Sequence, residues 1–251
     1  MNGLATRLTF AALVAVGMIT WGLLARSEVA MKTMTGDGPI LELMWLLMRP
    51  ADTLPYLAAA ALMWVVMMVA MMLPAAMPMV VVLRGVDHGV HRERETVLFV
   101  GGYLLAWSLF GLVAAGLQLW LHVRGLLGGH MLALGTGGAG LVLLAAGAYQ
   151  LTPLKEACLR RCRSPVGFFL EHWSPGARGA VAMGLRHGLY CIGCCWMLML
   201  LMFVGGAMSV LTMAVLCAFI LAERLLPPGP WVSRIPGALM LAGGVLLLAC
   251  R

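Results

Sequence analysis

Apolar residues run almost unbroken through 8–25, 56–83, 97–121, 131–150, 184–206, 208–225 and 235–250, and most charged residues fall in the short intervals between. A helix needs roughly 20 apolar residues to cross the hydrocarbon of a bilayer, fewer where the membrane adapts. The pattern therefore predicts an all-α polytopic membrane protein, a bundle of about seven transmembrane helices. The last two runs are short, so six spans plus a re-entrant segment is the alternative. The stretch Gly36–Pro50, with Met44, Trp45 and Met48, reads as an interfacial piece in the first long loop. The first run has one arginine ahead of it, as a secretory leader would. It lacks a small-residue cleavage site before Arg26-Ser27-Glu28, so it reads as a retained helix. Residues 1–251 form one transmembrane domain, with no soluble domain or internal repeat evident.

Composition supports lipid as the solvent. Hydrophobic residues make up 62% of the chain and charged residues 11%, with a mean hydropathy of +0.96. A soluble domain is about half apolar and about a quarter charged, and no aqueous fold of this length could hide the difference. The net charge of +7 thus reports orientation and not a nucleic-acid partner. Arg7, Arg84, Arg92, Arg94, Lys155, Arg160, Arg161, Arg163, Arg178, Arg186, Arg224 and Arg234 fall on the side of the N-terminus, against Arg26, Lys32, Arg49, Arg124 and Arg251 on the other. By the positive-inside rule the N-terminus is cytoplasmic, in a bacterial inner membrane. Glycines such as Gly135–Gly140 and Gly205–Gly206 read as helix-packing contacts.

Sulfur changes the picture. Of seven cysteines, Cys158, Cys162, Cys191, Cys194 and Cys195 are clustered, while Cys217 and Cys250 stand alone in apolar runs. Clustered intramembrane thiols suit metal or redox work better than a disulfide framework. From His187, the positions Cys191, Cys194, Cys195 and Met202 share about a third of a helix circumference. Side chains three and four apart can share an ion, but one helix cannot enclose it. Trp64–Met79 offers a partner: Met68, Met71 and Met72 form a stripe, and Pro74 and Pro78 should kink the helix and free carbonyls. Counting 1.5 Å per residue from the cytoplasmic ends puts Met71–Met72 and Cys194–Cys195 at one depth, roughly 12–18 Å. Two sulfur clusters on antiparallel helices could thus meet at one site.

Methionine is also a common gap-filler and a lone cysteine a small buried hydrophobe, so Cys217 and Cys250 read as packing. An imidazole inside a membrane helix is costly and points to function. Thiolates and thioethers select soft ions, Cu(I) first. Three cysteines with a histidine also suit zinc, but methionine is not among its usual ligands. The fourth loop offers a secondary metal or thiol site, Cys158 and Cys162 with His172, whose nearby cations favour thiolate. His88 and His91 flank Arg92, Glu93, Arg94 and Glu95 and read as a solvated charged loop.

Ala70-Met-Met-Leu-Pro-Ala-Ala-Met-Pro78, Tyr149–Lys155 with Cys158 and Cys162, Gly184–Trp196, and Gly205-Gly-Ala-Met208 through Glu223-Arg-Leu-Leu-Pro227 occur in that order. Together they resemble a bacterial family of predicted metal-binding integral membrane proteins, filed as a domain of unknown function (DUF2182), over a core of about residues 50–230. The resemblance implies a metal site and nothing about transport. No ATP-binding loop is present, and membrane carboxylates are essentially absent, Glu223 near a helix end being the nearest case. The sequence thus points to a non-enzymatic protein that binds a soft transition metal, Cu(I) before zinc, and moves it or delivers it to a partner metalloprotein or complex. A transmembrane thiol–disulfide electron carrier and a structural subunit of a larger membrane complex are the alternatives.

Overall fold

The computed structural model describes residues 3–33, 39–48, 53–86, 92–128, 132–226 and 230–250. It is all-α apart from one small ribbon. In chain order the helices are α1 (Gly3–Thr33), α2 (Pro39–Leu47), α3 (Thr53–Val86), α4 (Arg92–Val123), α5 (Thr136–Gln150), α6 (Pro153–Arg163), α7 (Pro165–His172), α8 (Gly176–Leu200), α9 (Met202–Gly205), α10 (Val210–Leu225) and α11 (Pro230–Ala249). Between α4 and α5, β1 (Leu127–Gly128) pairs antiparallel with β2 (Ala133–Leu134).

Among the described residues, five segments are long and apolar enough to cross a membrane: Leu8–Ala30, Thr53–Gly85, Glu93–Val123, Gly176–Gly205 and Trp231–Ala249. The sequence expectation of seven is therefore not met. The run at 131–150 yields only the 15 residues of α5, and that at 208–225 the 16 of α10. At 1.5 Å per residue, either is shorter than the hydrocarbon is thick. Helix α5 continues into α6 through a 66° bend, a broken span or a re-entrant loop that would raise the number to six. The bend is built locally: Pro153 at the first turn of α6 has no N–H to give, and the Thr152 side chain caps the helix by accepting from the Lys155 N–H at 3.3 Å.

Burial sorts the helices. About half of the apolar windows of α3 (56%) and α8 (50%) is buried, against 11% for the α1 segment and 17% for α11, which leaves those two at the periphery. The inner layer is α3 against α4 and α4 against α8, with α6 across α8, α10 against α3, α6 and α8, and α5 paired with α11. Close approach of α4 and α8 requires glycine: a Cβ on Gly184 would lie 2.0 Å from the Phe99 carbonyl oxygen, and one on Gly188 2.6 Å from the Ala106 Cβ. Small residues serve here because lipid supplies no hydrophobic force between helices. Among the glycines read as packing contacts, Gly140 meets Leu248 of α11 and Gly205 meets Thr212, whereas Gly135 faces open space.

Both Pro74 and Pro78 lie inside an unbroken α3. Pro74 cannot donate to the Ala70 carbonyl, and the Trp21 indole of α1 donates to it instead at 3.1 Å. The interfacial piece is partly described: α2 is helical, Leu47 is buried, and Trp45 is exposed. Residues 36–38, 49 and 50, and the loop bearing His88 and His91, lie outside the described residues.

Several charges read as loop markers of orientation are core residues. Lys155 is 1% exposed, Arg224 8% and Arg84 6%. Glu223 is likewise buried and takes an ion pair from Lys155 at 2.5 Å. Gln150 donates to the same Glu223 oxygen at 2.9 Å and accepts from Lys155. A carboxylate is therefore present in the core, neutralised by a lysine from across the α5–α6 bend. This polar knot ties the bend to α10. A second one joins α3 to α4: Trp64 donates to Gln118 at 2.8 Å, Gln118 donates to the Tyr56 hydroxyl at 3.1 Å, and the His122 Nδ1 lies 3.0 Å from that hydroxyl.

Candidate metal centre

The Cys-rich motif lies where it was expected, on the buried face of α8, with Cys191, Cys194 and Cys195 all sequestered. The fourth-loop pair does not lie in a loop. Cys158 and Cys162 are on α6, which packs across α8, and Cys162 is buried. The Sγ atoms of Cys162 and Cys194 are 3.9 Å apart. Cys158 Sγ sits over Gly193, 2.7 Å from where a Cβ would be. The two cysteine motifs, 32 residues apart, therefore make one cluster. Metal–sulfur bonds of about 2.3 Å at tetrahedral or trigonal angles place two sulfurs about 3.8–4.0 Å apart. The Cys162–Cys194 spacing matches that edge.

Around Cys191 the structure gathers donors. The Tyr103 hydroxyl lies 3.1 Å from its Sγ, and the Trp107 indole N–H donates to it at 3.3 Å. Both come from α4, brought close by the glycines of α8. The third donor is the guanidinium of Arg224 on α10, which contacts Cys191 Sγ through Nη2, lies 3.8 Å from Cys194 Sγ and donates through Nη1 to the Ala75 carbonyl of α3 at 3.1 Å. The sulfurs also turn toward their own helix: Cys194 and Cys195 donate to the Cys191 carbonyl at 3.1 and 2.9 Å. In this arrangement no three His, Cys, Asp or Glu side chains among the described residues are set to hold an ion. An ion seated among these sulfurs would need the thiols to leave that carbonyl and the guanidinium to withdraw.

His187 is 1% exposed and stacks between aromatic rings, with centroids 5.4 Å from Tyr103 and 6.1 Å from Phe99, and Phe168 edge-on at 5.5 Å. Neither ring nitrogen has a hydrogen-bond partner among the described residues. Two unsatisfied buried nitrogens are costly and leave the imidazole free to act as a donor. His172 ends α7, where its Nδ1 lies 3.2 Å from the Phe168 carbonyl and its ring stacks on Phe168 at 5.0 Å. Phe168 is thus a ring neighbour of both His172 and His187.

The methionines divide. Met68, Met71 and Met72 are fully buried on α3. Helix α3 reaches the cluster through α10, where Arg224 bridges the Ala75 carbonyl to Cys191, and Cys217 approaches the Met71 carbonyl at 3.6 Å. Met202 is also buried, but it opens α9 beyond the end of α8 at Leu200, so the His187–Met202 stripe does not run on one helix. A cavity of about 230 Å³ between α1, α2, α3 and α10 is lined by Met63, Met67, Met208 and Met213. Met63, Met67 and Met71 then follow one another at every fourth position along α3.

Sequence reasoning missed Arg224, Tyr103 and Trp107, and the union of the two cysteine motifs. Glu223-Arg224 at the end of an apolar run was the available signal, adjacent opposite charges where loop residues need not be paired. A family model described as PpoB2, copper chaperone, matches residues 61–247. No curated protein and no solved structure matches the chain.

Proposed function

Since this chain belongs to the PpoB2 copper-chaperone family, we propose that it holds Cu(I) in the sulfur cluster between α6 and α8 and hands it to a partner metalloprotein. The observation that carries this reading is the 3.9 Å approach of Cys162 and Cys194 from two different helices. Copper is cargo here, not a resident cofactor, and the protein is a carrier without a reaction of its own. Thiolate and thioether donors select the monovalent soft ion. Cys162, Cys191 and Cys194 supply the sulfur, with Cys195 and Cys158 beside them. His187 and a methionine of α3, Met68, Met71 or Met72, are the neutral donors that complete the sphere.

In this reading the site lies within the bilayer of a bacterial inner membrane with the N-terminus cytoplasmic, and the five long apolar segments among the described residues support a multi-pass protein. The methionine-lined cavity and the Met63–Met67–Met71 series give a soft ion a route along α3. Thioethers suit such a route because they bind Cu(I) weakly enough to release it. Zinc fits less well, since its structural sites want four strong ligands in a closed tetrahedron.

The test is copper content of the anaerobically purified protein beside its Cys191→Ser/Cys194→Ser/Cys195→Ser variant. About one copper per chain is expected in the wild type and its loss in the variant; equal content in both would end the proposal. The same Cys162–Cys194 pair also favours a second reading, a thiol–disulfide carrier, because two facing thiols need only a small movement to bridge. A disulfide that cycles with a dithiol reductant, in protein that binds no copper, would select that reading.

A further inference from the structure

We infer that Arg224 is the resident counter-charge of the sulfur site and makes it selective for a monovalent ion, an inference that rests on the copper-handling reading above. Arg224 is a specificity-determining residue and not a ligand. Its side chain is 8% exposed, and its Nε has no partner among the described residues. The only acceptors it reaches among them are the Ala75 carbonyl and the sulfurs of Cys191 and Cys194. The carboxylate next to it in sequence is committed elsewhere: Glu223 takes the ion pair from Lys155 and a hydrogen bond from Gln150. That knot is neutral by itself and leaves the guanidinium charge uncompensated by any carboxylate among the described residues.

A full positive charge in a low-dielectric core is expensive unless something negative faces it. Here the groups facing it are cysteines. Metal-ligating cysteines become thiolates as the ion binds, and the fixed positive charge of Arg224 stays beside whichever of them hold it. An ion seated there meets that charge directly, with His187 or a thioether filling further positions at no charge. A divalent ion meets twice the repulsion that a monovalent ion does. The protein can thus choose by charge between ions of similar softness, without a difference in ligand type.

The size of the effect follows from Coulomb's law. One extra unit of ion charge about 4 Å from the guanidinium, at an effective dielectric constant of about 20, corresponds to a factor on the order of a thousand in affinity. Relaxation and a longer distance after the guanidinium withdraws reduce it, and at least a tenfold effect should survive.

The experiment uses the full chain in detergent, anaerobic and reduced, with Cu(I) and Zn(II) affinities each measured against a chromophoric chelator. Arg224→Gln should lower the ratio of Cu(I) to Zn(II) affinity at least tenfold, and Arg224→Lys, which keeps the charge, should hold the ratio within about threefold of wild type. An unchanged ratio in Arg224→Gln, or an equal fall in both variants, would overturn the inference. If Arg224→Gln does not fold, the wild type decides with a second ion pair, Ag(I) against Cd(II), which differ in charge and are both soft. Preference for Ag(I) is expected, and preference for Cd(II) would overturn the inference. Failure of the wild type to bind Cu(I) would instead remove the copper-handling reading itself.

Discussion

Replacing Glu223 with glutamine should destabilise the helix bundle and loosen the metal centre, although Glu223 touches no sulfur among its described partners. Lys155 and Glu223 are 1% and 2% exposed, and their charged atoms are 2.5 Å apart. Glu223→Gln removes the anion and strands a buried ammonium. Breaking a buried pair in this way costs about 3–5 kcal/mol. Gln150 still accepts a hydrogen bond from Lys155, which puts the cost near the lower end, about 3 kcal/mol. At about 2–4 °C per kcal/mol for a chain of this size, the melting temperature should fall by roughly 6–12 °C. A dye that fluoresces on reaction with thiols reads the transition directly, because most of the cysteines are buried. The double variant Lys155→Met/Glu223→Leu removes both charges and should recover most of the loss, since an apolar pair of similar volume is often as stable as a buried ion pair. A Glu223→Gln protein that melts with the wild type, or a double variant worse than the single, would refute the account of this knot. Because Arg224 follows Glu223 on α10, Cu(I) affinity should fall in the single variant and return in the double one.

Met68→Leu/Met71→Leu/Met72→Leu conserves volume and should cost under about 1.5 kcal/mol per site, while weakening Cu(I) binding in chelator competition; equal affinity would take α3 out of the coordination sphere. Gly188→Val drives a side chain into Ala106, 2.6 Å from the added Cβ. It should destabilise by about 1–3 kcal/mol and separate Tyr103 and Trp107 from Cys191, seen as a lower melting temperature and weaker copper binding; retention of both would refute the close-approach argument. His187→Phe removes two unsatisfied nitrogens from an aromatic nest. The metal-free protein should melt at or above the wild-type temperature, with Cu(I) affinity reduced at least about tenfold, near 1.4 kcal/mol. Unchanged affinity would exclude the imidazole as a ligand.

Membrane helices and the Cys-rich stripe were legible because both are local. Apolar run length identifies a helix in lipid, and positions four apart on α8 must share a face. The register of Cys191, Cys194 and Cys195 needed no knowledge of the fold. What the pattern hid was tertiary. A bend after Leu151 turns a run read as a span plus a loop into two packed helices, and so carries Cys162 under Cys194. Charge misled for a related reason: Lys155, Glu223 and Arg224 sit at helix ends, where loop residues are also found, and only packing shows that they are buried. The same ambiguity weakens the orientation argument, since residues neutralised or enclosed in the core do not report the side of the membrane. The span number failed at α5 and α10: the run at 131–150 takes in the β2 strand and the run at 208–225 begins in the turn before α10, which leaves helices of 15 and 16 residues.

The central claim is that the thiols of α6 and α8 form one copper site, and X-ray absorption at the copper edge of the Cu(I)-loaded protein tests it most directly, wild type beside Cys162→Ser. The account predicts a sulfur-dominated first shell at bond lengths near about 2.3 Å, with one sulfur fewer or a lighter donor in its place when Cys162 is serine. A shell of nitrogen and oxygen in the wild type, or an identical sulfur shell in the two proteins, would contradict it.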